Sequence, residues 1–166
     1  MALNATTTLP YTPAEVVATF ADRAFVEHLG TQVGGTLKDF TVSGDLAGAF
    51  ESVTVRSVPT DRLPEIARKF VGASVDVTQR EAWSAPAADG SREANVTVEV
   101  SGIPVNVSAV QRVAAAAGGS RVDLEGEVSS GIPFLGGKIA SAAEPFVGKA
   151  LNLQAAQAKA WLERQA

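Results

Sequence analysis

Asn95-Val96-Thr97-Val98-Glu99-Val100-Ser101-Gly102-Ile103-Pro104-Val105-Asn106-Val107-Ser108-Ala109 is the stretch on which the fold turns. Valine alternates with polar residues up to Val100, Gly102-Ile103-Pro104 punctuates, and the alternation resumes at Val105. A period of two puts apolar side chains on one face of a strand and polar ones on the other. That is the pattern of an antiparallel sheet covered on one side and wet on the other. The pattern extends in both directions. Upstream, Val75 and Val77 open a strand that runs to Trp83, and Pro86 to Gly90 is a loop tip. Downstream, Gly118-Gly119-Ser120 makes a turn, and Val122, Leu124 and Val128 oppose Arg121, Asp123, Glu125 and Glu127. Strands joined by short glycine-containing turns read as a meander. Two earlier candidates, residues 37–42 and 50–58, flank Gly44-Asp45, and the threonine-rich residues 3–9 make a first strand.

Helix signals surround this sheet. Thr12-Pro13-Ala14-Glu15 combines a capping box with proline at the first helical position. Val16, Val17, Phe20 and Ala24 then form an apolar stripe, in one helix or a pair of short ones ending near Gly30 or Gly34-Gly35. A second start at Thr60–Glu65, with Pro64 placed early, gives a short helix with Ile66, Phe70 and Val71 on its apolar face and Gly72 as its stop. From Phe134 to Gln165 the apolar residues recur at helical spacing. Pro145 inside that run removes a backbone donor and is expected to kink the helix or divide it at Glu144.

The order is strand, helices, two strands, a short helix, four strands and a long final helix. Only that helix is large enough to cover one apolar face of a seven-stranded sheet. The expected class is therefore α+β, one domain over residues 1–166. It is a curved antiparallel sheet of about seven strands wrapped around the C-terminal helix, with short helices after the first strand. The order, the Thr12-Pro13-Ala14-Glu15 start and the lead-in Gly131-Ile132-Pro133-Phe134-Leu135-Gly136-Gly137-Lys138-Ile139 resemble the helix-grip fold of the SRPBCC (START-like) superfamily. That superfamily includes START lipid-transfer domains, plant pathogenesis-related allergens and polyketide aromatase/cyclases. With Trp161-Leu162, the lead-in looks most like an actinobacterial branch of single-domain proteins of unknown function. The resemblance implies an apolar cavity between sheet and helix and a small hydrophobic ligand, lipid or polyketide-like. It supplies no catalytic motif. Pro145 departs from the pattern, because it falls in the helix that lines the cavity in relatives.

Composition removes other classes. The chain has 166 residues, no cysteine, and 14 Lys and Arg against 18 Asp and Glu, a formal charge of −4. There is no disulfide framework, thiolate nucleophile or cysteine-ligated zinc, and no basic face for nucleic acid. No run approaches the ~18 apolar residues of a membrane span, and no secretory signal opens the chain, so the expected compartment is the cytoplasm. Neither a cofactor nor a metal is implied. His28 is the lone histidine, placed near a helix end where a cation suits the dipole. Gly136-Gly137-Lys138-Ile139 fails the P-loop spacing. Instead, Gly131 to Lys138 is read as a flexible lead-in or gate. Asp123, Glu125 and Glu127 share one strand face, opposite the apolar one, and so should face water.

The candidate ligand-binding residues are those whose parity or helical phase points inward: Val75, Val77, Val96, Val98, Val105, Val107, Val122, Leu124, Phe146, Val147 and Ala150. Most are small, and small side chains facing across a curved sheet fill it incompletely. Gln79 and Glu81 continue the parity of Val75 and Val77, and Gln111 that of Val105 and Val107. These three either point inward, where buried polar groups need a partner or a ligand, or lie at the sheet rim and reach solvent. No catalytic residue is assigned. An enzyme of the cyclase or hydrolase kind would need an inward acid such as Glu81, whereas a filled core would suit an interaction module.

Overall fold

In the computed structural model, which describes residues 2–63 and 65–165, these two periodicities resolve into seven strands and four α-helices. The chain runs β1 (Ala2–Leu9), α1 (Pro13–Phe20), α2 (Arg23–Val33), β2 (Thr36–Gly44), β3 (Phe50–Pro59), α3 (Glu65–Arg68), β4 (Ser74–Trp83), β5 (Arg92–Val100), β6 (Ile103–Ala116), β7 (Gly119–Ser129) and α4 (Gly136–Gln165). The sheet order is β1-β7-β6-β5-β4-β3-β2 with every pairing antiparallel. Five neighbours follow in sequence as a meander. The sixth pairing brings β1 back onto β7, so that Ala2 faces Glu127 and Leu9 faces Ser120.

The capping box forms as expected. Glu15 N donates to Thr12 Oγ1 at 3.2 Å, and Thr12 N donates to Glu15 Oε1 at 3.4 Å. The stripe through Ala24 does not persist as one helix. Asp22 accepts from Ala24 N at 3.0 Å and caps a second helix, which buries Phe25, Val26 and Leu29 and leaves Ala24 exposed. Gly34 ends α2 in the left-handed conformation, φ 79°. The short helix is a single turn, Glu65–Arg68, after a 3-10 turn at Thr60–Arg62. Its expected apolar residue Phe70 lies beyond the helix and is 40% exposed, and Pro64 lies outside the described residues.

The helix is not divided at Glu144: α4 is one helix from Gly136 to Gln165. Proline forfeits the bond to the carbonyl four residues back. That residue, Ser141, is exposed, so water can take the carbonyl. Buried Ile139 and Ala140 before the proline, and Leu151, Ala155 and Ala158 after it, hold both halves against the sheet. The core lies between this helix and the inner sheet face, closed at one end by Val16, Val17, Phe20 and Phe25. Each such side chain stabilises the fold by about 2–3 kcal/mol when fully buried.

Candidate functional site

The inner face has two chemically distinct sectors. Strands β5 to β7 present Val96, Val98, Val105, Val107, Val122 and Leu124, all buried, and β4 adds buried Val75 and half-buried Val77. Strands β3 and β4 present Ser52, Thr54 and Arg56 beside Gln79 and Glu81. The ladder sets Ser52 opposite Glu81 and Thr54 opposite Gln79. The parity that makes Val75 inward carries on to Glu81.

Rim exposure is overturned for two of the three polar candidates. Glu81 is 4% and Gln111 3% exposed, while Gln79 is half-buried. Glu81 and Gln111 lie on the inner face, with the buried residues of their strands. From α4, Gln154, also 4% exposed, reaches Glu81. Gln79 Nε2 donates to Glu81 Oε2 at 2.8 Å, and Gln154 Nε2 donates to the same oxygen at 3.3 Å. Gln79 Nε2 also reaches Gln154 Oε1 at 3.3 Å. The other carboxyl oxygen, Oε1, is buried without a hydrogen-bond partner, as is Nε of Arg56. Arg56 spends one amine on the carbonyl of Val26 at 3.1 Å.

Burial pushes the Glu81 carboxyl above its ordinary range. The amide donors of Gln79 and Gln154, the nearby Trp83 indole N–H and the Arg56 charge oppose that shift without cancelling it. Burial likewise lowers Arg56, against the charge of Glu81. Sequence reasoning missed Gln154 and Arg56. Both were legible: Gln154 shares the helical face of Leu151, Ala155 and Ala158, and Arg56 shares the parity of Ser52 and Thr54.

Two α4 candidates do not sit where expected. Phe146 is 49% exposed, and Ala150 is exposed. At ~100° per residue, the stripe through Ala140, Val147, Leu151, Ala155 and Ala158 leaves both on its flank. Phe146 instead borders an apolar cleft with Leu63, Val100, Ile103, Val105, Ile139 and Val147, with a volume of about 70 Å³. A larger hollow, about 590 Å³, opens at the far end, between the start of α1 and the turns bearing Leu46, Pro86 and Gly119. Its floor is structural. Arg92 donates to the carbonyls of Leu46, Ser84 and Gly48 and lies 5.1 Å from the Phe50 ring centre, which fixes two turns together.

The remaining candidates are structural. Glu125 and Glu127 face water, and Asp123 accepts from Thr6 at 2.8 Å and Arg121 at 2.9 Å on the outer face. His28 bridges α2 to α4, its Nε2 3.3 Å from Gln157 Oε1 and its ring 5.4 Å from that of Trp161.

A seven-stranded antiparallel sheet closed over a long C-terminal helix, with two short helices after the first strand, is the helix-grip fold. The chain belongs to the family described as "Protein of unknown function (DUF2505)", whose pattern matches residues 4–162. An uncharacterised protein of Mycobacterium tuberculosis is 32% identical over 108 residues, 63% of this chain. The match spans 62% of that relative's length. Among solved structures, one from Thermus thermophilus aligns over 100% of this chain and 99% of its own, with a TM-score of 0.61 and 13% identity. Ara h 8.0201 aligns over 99% and 98%, with a TM-score of 0.56 and 12% identity. Norcoclaurine synthase from Thalictrum flavum, in complex with dopamine and hydroxybenzaldehyde, aligns over 100% and 88%, with a TM-score of 0.52 and 11% identity. Among the described residues no helix is long and apolar enough to cross a membrane.

Proposed function

We propose that this single-domain protein binds a small hydrophobic ligand, lipid or polyketide-like, between its sheet and α4, in the cytoplasm. The observation that carries this reading is the cleft bordered by Leu63, Val100, Ile103, Val105 and Phe146, whose lining is wholly apolar. It lies beside the first turns of α4, against Val100 of β5 and Val105 of β6. At about 70 Å³ it is a doorway rather than a berth. Ligand uptake lifts the first turns of α4 from the sheet, with residues 131–138 as the gate. Burying apolar ligand surface supplies ~25 cal/mol per Å². The same fold in a synthase crystallised with two small aromatic molecules supports the class of ligand site.

A second reading, acid–base catalysis on the bound molecule, is favoured by one observation: a buried carboxyl on the inner face held above its ordinary pKa.

Native mass spectrometry of protein purified from its own cells, followed by organic extraction, tests the binding reading. The expected result is a co-purifying hydrophobic molecule. Val105→Trp, which plugs the cleft, should lose it. An empty protein that also fails to bind fatty acids and an apolar dye overturns the proposal.

A further inference from the structure

Glu81 is buried, at 4% exposure. Its two oxygens are not equivalent. Oε2 accepts from both amides, Gln79 Nε2 and Gln154 Nε2, and Oε1 has no partner. A buried polar atom left open costs free energy on folding, and such atoms are rare unless something else meets them. The two glutamines also fix the carboxyl in place, one from the sheet and one from the helix, so Oε1 is held at a defined point between β4 and α4.

The strand ladder connects that point to the apolar cleft. Val100 borders the cleft, and the β4–β5 ladder pairs Val100 with Val77, Val98 with Gln79 and Val96 with Glu81. From Val77 to Glu81 is four strand residues, about 13 Å. On the helix, Val147 borders the cleft and Gln154 lies seven residues on, about 10 Å deeper. The cleft is apolar, the ladder beyond it carries Val77, Val98 and Val96, and the buried, unpartnered Glu81 Oε1 lies at its inner end.

We propose that Glu81 Oε1 anchors the polar end of the ligand, which is an aliphatic molecule of medium chain length ending in a hydroxyl group. This rests on the hydrophobic-ligand reading above and narrows it. The hydroxyl is singled out by complementarity. It donates to a carboxylate and accepts from a carboxylic acid, so it satisfies Oε1 in either protonation state. A ketone or ester is matched only by the acid, and an ammonium only by the carboxylate. The chain lies toward Val100 and Val147, with its far end at the cleft.

The test uses n-decanol and n-undecane, alkyl probes with equal numbers of heavy atoms, delivered from cyclodextrin. Each competes with an apolar fluorescent dye on the full chain. Comparing the decanol-to-undecane affinity ratio between proteins cancels the difference in probe hydration. The ratio should fall about tenfold from wild type to Glu81→Leu, the loss of one hydrogen bond to a buried acid. Glu81→Gln keeps a hydrogen-bonding group at that place and should retain most of the preference. Thermal unfolding of both variants establishes that they are folded. A ratio unchanged in Glu81→Leu overturns the anchor and leaves hydrophobic binding standing. Failure of both probes to displace dye from wild type overturns the binding reading itself, and the anchor with it.

Discussion

Replacing Gln154 by leucine separates the polar cluster from the hydrophobic packing around it. Leucine fills nearly the same space and buries as well, so the change removes two hydrogen bonds and little else. One bond runs to the Glu81 carboxyl and one comes from Gln79, both at 3.3 Å. A neutral hydrogen bond contributes about 1 kcal/mol net, so the expected loss is about 2 kcal/mol. For a chain of this size that lowers Tm by about 4–8 °C. The loss should also depend on pH. The folded-state pKa of Glu81 is raised. Stability held by its protonated form is therefore fully present below the ordinary glutamate range, and it is lost as pH rises through the folded value. Gln154→Leu removes a donor that favours the ionised form, pushes the folded value further up, and so costs more as pH rises. Urea unfolding of both proteins at pH 4 and pH 8 measures this. A difference of equal size at the two pH values would refute an acid-centred cluster, and so would a variant more stable than wild type at pH 8.

Glu81→Gln removes the ionisation altogether, so its stability relative to wild type should climb with pH through the folded Glu81 value, as read by the same unfolding series. Phe134 is fully exposed with φ 66°, a left-handed backbone that bulky residues avoid. Phe134→Gly should therefore gain about 1 kcal/mol, visible as a rise in Tm of about 2–4 °C. A Cβ on Gly126 would collide with the Ser108 carbonyl and lie 2.5 Å from the Ala109 Cβ. Gly126→Ala should cost about 1–3 kcal/mol by forcing β6 and β7 apart, and calorimetry would show it.

Much of this architecture was legible because the two periods are clean. Alternation from Val96 to Val107 and from Val122 to Val128 marks the strands, and the Thr12–Glu15 box sits where the first helix starts. Misreadings arose where a local rule competes with tertiary packing. Pro145 ought to divide a helix, but buried residues on both sides keep it continuous. Phe146 and Ala150 look inward only while the phase of α4 is unknown; the sheet, not the helix sequence, sets that phase. The pair of short helices after β1 was one of the two expected outcomes, and Asp22, which caps the second, decides it. At the site, parity placed Glu81 beside Gln79. It could not show that a glutamine 73 positions further on would close over the carboxyl, because that contact exists only once α4 has docked.

The pairing of β1 with β7 governs how this chain can be made. Among the described residues, 2–9 pair only with 120–127, which are synthesised after nearly three quarters of the chain. Until then the first strand has one apolar side and nothing to lie against, and closing so long a loop is entropically slow. The central hairpins can assemble early, since β5, β6 and β7 are joined by two-residue turns. The N-terminal strand and the C-terminal helix must then arrive last and almost together. In a cell, the window in which Leu3 and Leu9 stand uncovered is the time when this protein is most exposed to chaperones, proteases and its own copies.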